Sequence, residues 1–259
     1  MWSLDLPGTG AVAARPPVEL VPITPAGRVA MDGTPSPAGD PDGTLAVEFP
    51  DGLTTGSTVL VAGTREPSLA AVCLRALHRY GRAGDGALVV TTADAAGHAI
   101  ETYERLPSGT GRPSLGLVDT SGGRESVSAP YGDQPVLSTP SPGDLERLVV
   151  ALSDLSRTVG SPDGTRHLVV RSLTPILDAA ATDHVCTVLE RITGLRSADG
   201  LCLLGVDYTA HDEVTMEAVA ETVDGVLWVT RSDPDRLGFE YRPTRGRLAP
   251  TNVDQGRDG

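Results

Sequence analysis

The chain has no lysine; all 21 of its basic residues are arginine. That absence excludes Schiff-base chemistry and any lysine-activated nucleophile. It also leaves no ammonium group of this chain to meet a phosphate. Aromatic residues are scarce, with two Phe, two Trp and five Tyr, so Val, Leu and Ala must fill the core. The three cysteines, Cys73, Cys186 and Cys202, lie in apolar stretches with no Cys-x-x-Cys spacing. His184 and Cys186 stand two apart, and on a helix they face different ways, a poor chelate. The cysteines are therefore expected as core packing in a reducing cytoplasm, and no metal site is expected. No apolar run approaches the length of a membrane span, and no basic segment followed by an apolar one opens the chain. The expectation is a cytoplasmic protein with no membrane contact and no secretion leader.

Acid is abundant. Asp and Glu number 34 and the net charge is −13. A GC-rich genome by itself favours Arg, but an acid surplus with no Lys points to a salt-loving cell, where counter-ions screen the self-repulsion of an acidic surface. Such a surface also argues against nucleic acid as a partner. Arg242, Arg245 and Arg247 are the one local exception, and the expectation for them is a solvated tail.

A chain of 259 residues holds one large domain or two small ones. Residues 1–55 carry much of the Pro and Gly and read as a mostly disordered tail. Regular patterning runs over 56–242, and 243–259 read as unstructured. Within the patterned region, strands are expected at 58–62, 87–92, 115–118, 136–138, 167–171, 201–206, 225–230 and 237–242. Helices are expected at 68–80, 93–106, 144–158, 178–195 and 211–223, the last turning Val214, Met216, Ala218 and Val219 inward or sideways. Residues 119–135 form a long irregular loop, unusual in a compact domain and therefore mobile or functional. Alternating strands and helices predict an α/β fold, a mainly parallel sheet with helices on both faces. The last two strands pair antiparallel across Ser232-Asp233-Pro234-Asp235. Ligands of such sheets sit beyond the carboxyl ends of the strands, which directs attention to Gly63, Thr64, Arg65, Asp94, Asp119, Arg171, Ser172, Asp207 and His211.

The chain is organised around Thr58–Tyr80. An apolar β-branched run, a turn punctuated by Gly63 and Pro67, and an amphipathic helix follow one another. Strand, glycine-containing turn, helix is the architecture of a phosphate-binding loop. With Gly63 as the first glycine of G-x-x-x-x-G-K-[ST], the positions of Gly, Lys and Ser/Thr fall on Ser68, Leu69 and Ala70.

In this order and spacing, Val59-Leu60-Val61-Ala62-Gly63, Leu88-Val89-Val90-Thr91-Thr92, Pro142-Gly143-Asp144-Leu145, Leu168-Val169-Val170-Arg171-Ser172-Leu173, Asp207-Tyr208-Thr209-Ala210-His211-Asp212-Glu213 and Asp224-Gly225-Val226-Leu227-Trp228-Val229 resemble the RecA/KaiC-type P-loop ATPase family, over roughly 56–242. More narrowly the chain is similar to degenerate haloarchaeal members without an assigned function. The resemblance implies a RecA-like fold and a vestigial nucleotide site at Gly63, Thr64, Arg65, Ser68, Leu69, Ala70, Asp94, Arg171, Ser172, Asp207 and His211. It places the family's phosphate-binding Lys on Leu69 and the hydroxyl ligand of magnesium on Ala70. The Walker B acid falls on Arg171, and of the acidic pair that polarises the attacking water only Asp94 remains.

Phosphoryl transfer depends on positioning and on charge neutralisation by Lys and Mg²⁺. With both missing, no catalytic residue and no obligatory cofactor are expected, and the resemblance leaves room only for weak ATP binding without significant hydrolysis. Arg171 has two readings. It meets an anion directly, or it pairs with Asp94, Asp119 or Asp207 at neighbouring strand ends; the second is preferred because an unpaired buried Arg is costly. Arg65 either contacts an anion at the helix N-terminus or is solvated, the second being preferred; Ser68 reads as part of a helix start, and Asp212 and Glu213 as acids suited to a helix dipole. A Ser172–His211–Asp207 triad lacks the G-x-S-x-G elbow and is not expected. The expected role is that of a regulatory or scaffold protein acting through protein contacts or self-association. The alternative is a weak nucleotide sensor.

Overall fold

The computed structural model describes residues 49–50, 53, 55–64, 69–106, 111–122, 134–233 and 236–244. Both expected tails lie almost wholly outside them, as do Arg65, Ser68, Arg245, Arg247, the loop residues 123–133 and the turn residues 234–235.

Eight strands form one sheet. They are β1 (Thr58–Gly63), β2 (Gly86–Thr91), β3 (Ser114–Asp119), β4 (Val136–Ser138), β5 (Arg166–Val170), β6 (Cys202–Asp207), β7 (Gly225–Asp233) and β8 (Arg236–Pro243). Their order is β4-β3-β2-β5-β6-β1-β7-β8, parallel throughout except for the β7–β8 pair. The helices are α1 (Leu69–Tyr80), α2 (Ala96–Glu104), α3 (Leu145–Leu155), α4 (Thr174–Ala179), α5 (Thr182–Thr193) and α6 (Glu213–Glu221). The architecture expected from the sequence, a mainly parallel sheet with helices on both faces and a C-terminal antiparallel pair, is present.

The central strands are apolar on both sides because both faces are covered. Val59, Val61, Val89, Leu117, Val169 and Leu203 pack with residues of α1 and α2 on one face. Leu60, Ala62, Leu88, Val90, Leu168 and Val170 pack with residues of α3, α4, α5 and α6 on the other. On the first face the chain's only two phenylalanines meet with tilted rings, Phe49 and Phe239 at 5.2 Å, and Phe49 also meets Tyr80 at 6.1 Å. Leu53 is buried in that core. The folded region thus includes residues upstream of the boundary expected at 56.

Two expectations are corrected. The helix expected over 178–195 is present as α5 but starts at Thr182, and a short helix that was not expected, α4, precedes it. Pro175 lies in the first turn of α4, where its missing N–H breaks no helical bond, and Ala180 then turns extended at φ −141°, ψ 156° and ends it. Second, α6 buries only Val219 completely, while Val214 is 74% exposed. The short helix rests on the sheet through one narrow stripe, and its first turn points to solvent.

Candidate functional site at the carboxyl edge of the sheet

The strand order creates two crevices. The segment after β2 leads to α2 on one face, and the segment after its neighbour β5 leads to α4 on the other. The same divergence occurs between β1, which leads to α1, and β6, which leads to α6. Such switch points open crevices at the carboxyl ends of parallel strands. Register places Gly63 beside Asp207 and Val229, and Thr91 beside Asp119. Gly63, Thr64, Asp94, Arg171, Ser172, Asp207 and His211 therefore all lie along one edge.

At the β1/β6 crevice, Leu69 is 7% exposed and belongs to the core of the α1 face. A Cβ on Gly63 would come within 2.8 Å of the Leu69 Cδ2 and 3.1 Å of the Val229 carbonyl, so the Leu69 side chain packs directly over this glycine. The residue where the resemblance calls for a phosphate-binding Lys is thus spent on packing against the end of β1. Ala70 is half-buried and Thr64 exposed. Asp207 is occupied as the cap of the turn that follows: its Oδ1 accepts from the Thr209 N–H at 3.1 Å and the Thr209 hydroxyl at 2.6 Å. Its own N–H donates to Thr174 Oγ1 at 3.1 Å. His211 is half-buried just beyond that turn.

At the β2/β5 crevice, Arg171 is 2% exposed, among the largest fully buried side chains of the molecule. Its Nη1 donates to Asp94 Oδ2 at 3.0 Å. The Asp94 side chain is 32% exposed and also lies 3.7 Å from His98 Nε2. Arg171 is anchored by its backbone too, its N–H donating to the Val90 carbonyl at 3.0 Å. A Cβ on Gly205 would sit 2.3 Å from the Arg171 carbonyl and 3.5 Å from Cys73 Sγ, so this pocket tolerates no side chain at 205. Burial pushes the Cys73 thiol up to about 12, against the opposing pull of Arg171. Cys73 is an inert core residue. Ser172 contributes its carbonyl, which accepts from Thr92 Oγ1 at 2.8 Å.

Asp119 is committed elsewhere. Its Oδ2 accepts from the Ala96 N–H at 2.9 Å, and its Oδ1 from the Ser121 N–H and hydroxyl at 2.9 and 2.6 Å. The preceding residue, Ala95, has no capping side chain, so an acid from the adjacent strand supplies the negative charge that the start of α2 favours. Of the three acids the sequence offers to Arg171, the structure brings Asp94 to it, while Asp119 and Asp207 cap other elements. Among the described residues, no group of three His, Cys, Asp or Glu side chains is arranged to hold a metal ion.

Sequence reasoning missed one buried polar pair at the opposite edge. His167 Nδ1 accepts from the Leu201 N–H at 3.0 Å, so the ring proton is on Nε2, which donates to Asp85 Oδ2 at 3.3 Å. Asp85 in turn accepts from the Thr165 and Arg82 N–H groups at 2.9 and 2.8 Å. Burial lowers the His167 pKa, outweighing the upward pull of Asp85. Only a His opening an apolar strand marks this pair in the sequence. Arg242 lies in β8 and pairs with Glu240 at 2.8 Å. Among the described residues no helix is long and apolar enough to cross a membrane.

Residues 56–229 match a family described as "Family of unknown function (DUF7504)". No curated protein matches. Among solved structures, the chain is similar to a Pyrococcus horikoshii OT3 protein (Project ID PH0250) at 16% identity, covering 72% of this chain and 86% of that one with a TM-score of 0.44. It is also similar to the flagellar accessory protein FlaH of Methanocaldococcus jannaschii at 10% identity, covering 74% and 79% with a TM-score of 0.46.

Proposed function

The chain belongs to this family of unknown function (DUF7504), and we propose that its domain is a non-catalytic RecA-like module that works through protein contacts. The observation that carries the reading is the double replacement at the two crevices. Leu69 packs on Gly63 where the resemblance calls for a phosphate-binding Lys. Arg171, 3.0 Å from Asp94, places a guanidinium where it calls for a metal-holding acid. Catalysis of phosphoryl transfer rests on a cation at the phosphates and a metal bridging them. Here the apolar Leu69 supplies no charge, and Arg171 repels a metal while neutralising Asp94.

A fold kept without that chemistry is kept for its surfaces. Partners in this reading are other proteins or a second copy of the chain. The test is ATP hydrolysis by the purified full chain with magnesium, in molar KCl. The reading expects no phosphate release above a no-protein control. Turnover that disappears on Arg171→Ala would overturn it. Nucleotide binding without turnover would support the weak-sensor alternative instead.

A further inference from the structure

The centre of the β2/β5 crevice holds two buried polar atoms with no hydrogen-bond partner among the described residues. They are Arg171 Nε and Thr91 Oγ1. Arg171 is 2% exposed and Thr91 is wholly buried. The two are brought together by register: β2 and β5 pair with Val90 opposite Val170, so the next residues, Thr91 and Arg171, face one another across the strand ends. They also share a side of the sheet. Val90 and Val170 belong to the core under α3 to α6, and Val89 and Val169 to the core under α1 and α2. Alternation along a strand then turns Thr91 and Arg171 towards α1 and α2. Cys73 of α1 lies on this side, since a Cβ on Gly205 would be 2.3 Å from the Arg171 carbonyl and 3.5 Å from Cys73 Sγ.

We infer that Arg171 and Thr91 hold an internal water molecule between them. Buried polar groups in folded proteins are rarely left unbonded. Arg Nε carries a hydrogen and can only donate, while a Thr hydroxyl donates or accepts. Whatever sits between them must accept from Nε–H, and water does so while also serving the hydroxyl in either sense. An anion would also accept, but the charge at this point is already balanced, since Arg171 is paired with Asp94. A buried anion would add an uncompensated charge in a place that solvent does not reach, and desolvation disfavours it. Water carries no such penalty, and two polar partners suffice to hold it. The β2/β5 crevice is then closed by a hydrated ion pair that links the segment after β2 to the end of β5. The inference does not depend on the function proposed above.

Crystals of the full chain grown in potassium bromide and measured at the bromine edge test it. The expected result is a well-ordered peak within about 3 Å of both Arg171 Nε and Thr91 Oγ1, with no anomalous signal. The same peak is expected in Thr91→Ser and absent in Thr91→Val. An anomalous peak there would make the ligand an anion and overturn the inference. So would a protein atom in that place, direct van der Waals contact with no peak, or a peak that persists unchanged in Thr91→Val.

Discussion

Replacing Arg171 by Ala removes one partner of a buried ion pair and leaves the other behind. Breaking a wholly buried pair in this way costs about 3–5 kcal/mol. Arg171 is 2% exposed, but the Asp94 side chain is 32% exposed, so water can re-solvate the orphaned carboxylate and the upper part of that range does not apply. The lost charge-assisted hydrogen bond at 3.0 Å is worth about 1.5–3 kcal/mol. The buried volume vacated by the guanidinium and its stem adds about 1 kcal/mol. The expected loss is about 3 kcal/mol. For a folded region of roughly 200 residues that corresponds to a fall in Tm of about 6–12 °C. Thermal unfolding of the full chain at fixed KCl measures it, with Arg105→Ala as the control. Arg105 also pairs with an acid, Glu101 at 3.3 Å, but both side chains are more than half exposed, and exposed pairs are worth about 0–1 kcal/mol. A double-mutant cycle with Asp94→Asn is expected to give a coupling above about 1 kcal/mol. A fall of less than about 2 °C for Arg171→Ala, or one equal to that of Arg105→Ala, would refute the argument that this pair holds the edge together.

Four further outcomes are expected. Leu69→Lys does not restore ATP hydrolysis and lowers stability by roughly 2 kcal/mol or more, because it puts an ammonium into a packed apolar site; urea unfolding and phosphate release measure the two parts. Asp119→Ala costs about 1–2 kcal/mol through loss of the cap on α2, with Asp119→Asn less harmful because it keeps an acceptor; chemical denaturation with circular dichroism detects both. His167 is held neutral in the fold with its pKa below the ordinary value of 6.5, so the unfolded chain takes up its proton first as pH falls. Its contribution to stability is therefore complete above about pH 6.5 and declines below it, and a Tm-versus-pH series should show a steeper acid slope for the native chain than for His167→Gln. With a net charge of −13, Tm should rise with KCl towards molar levels as self-repulsion is screened; a flat or falling curve would contradict the salt-loving reading.

The parallel sheet was legible because its strands are short β-branched runs buried on both faces, a pattern that survives without knowledge of neighbours. Leu88-Val89-Val90 and Leu168-Val169-Val170 are such runs, and both proved central. The α4 helix was not legible, since Pro175 reads as an interruption until its place in a first turn is known. Val214 was misread because an apolar residue at helical spacing does not reveal how narrow the buried stripe is. At the site, the position of Arg171 at a strand end was readable, and so was a short set of acids that could meet it. The choice of Asp94 over Asp119 was not. It follows from Asp119 turning to the Ala96 N–H, a cap donated across strands by a residue 23 positions away. The His167–Asp85 pair spans 82 positions, and no local pattern announces it.

If, as proposed, the two crevices are spent on packing and on an ion pair, the edge has no room for a nucleotide. A thermal-shift titration with ATP and ADP, with and without magnesium in molar KCl, tests it most directly. A ligand that binds only the folded chain stabilises it by about 2.7 kcal/mol at a hundredfold excess over Kd. No shift is expected at millimolar nucleotide, with or without the metal. A shift of several degrees that requires magnesium would contradict it, because it would mean that the edge closed by Leu69, Arg171 and Asp94 still accepts a metal–nucleotide complex.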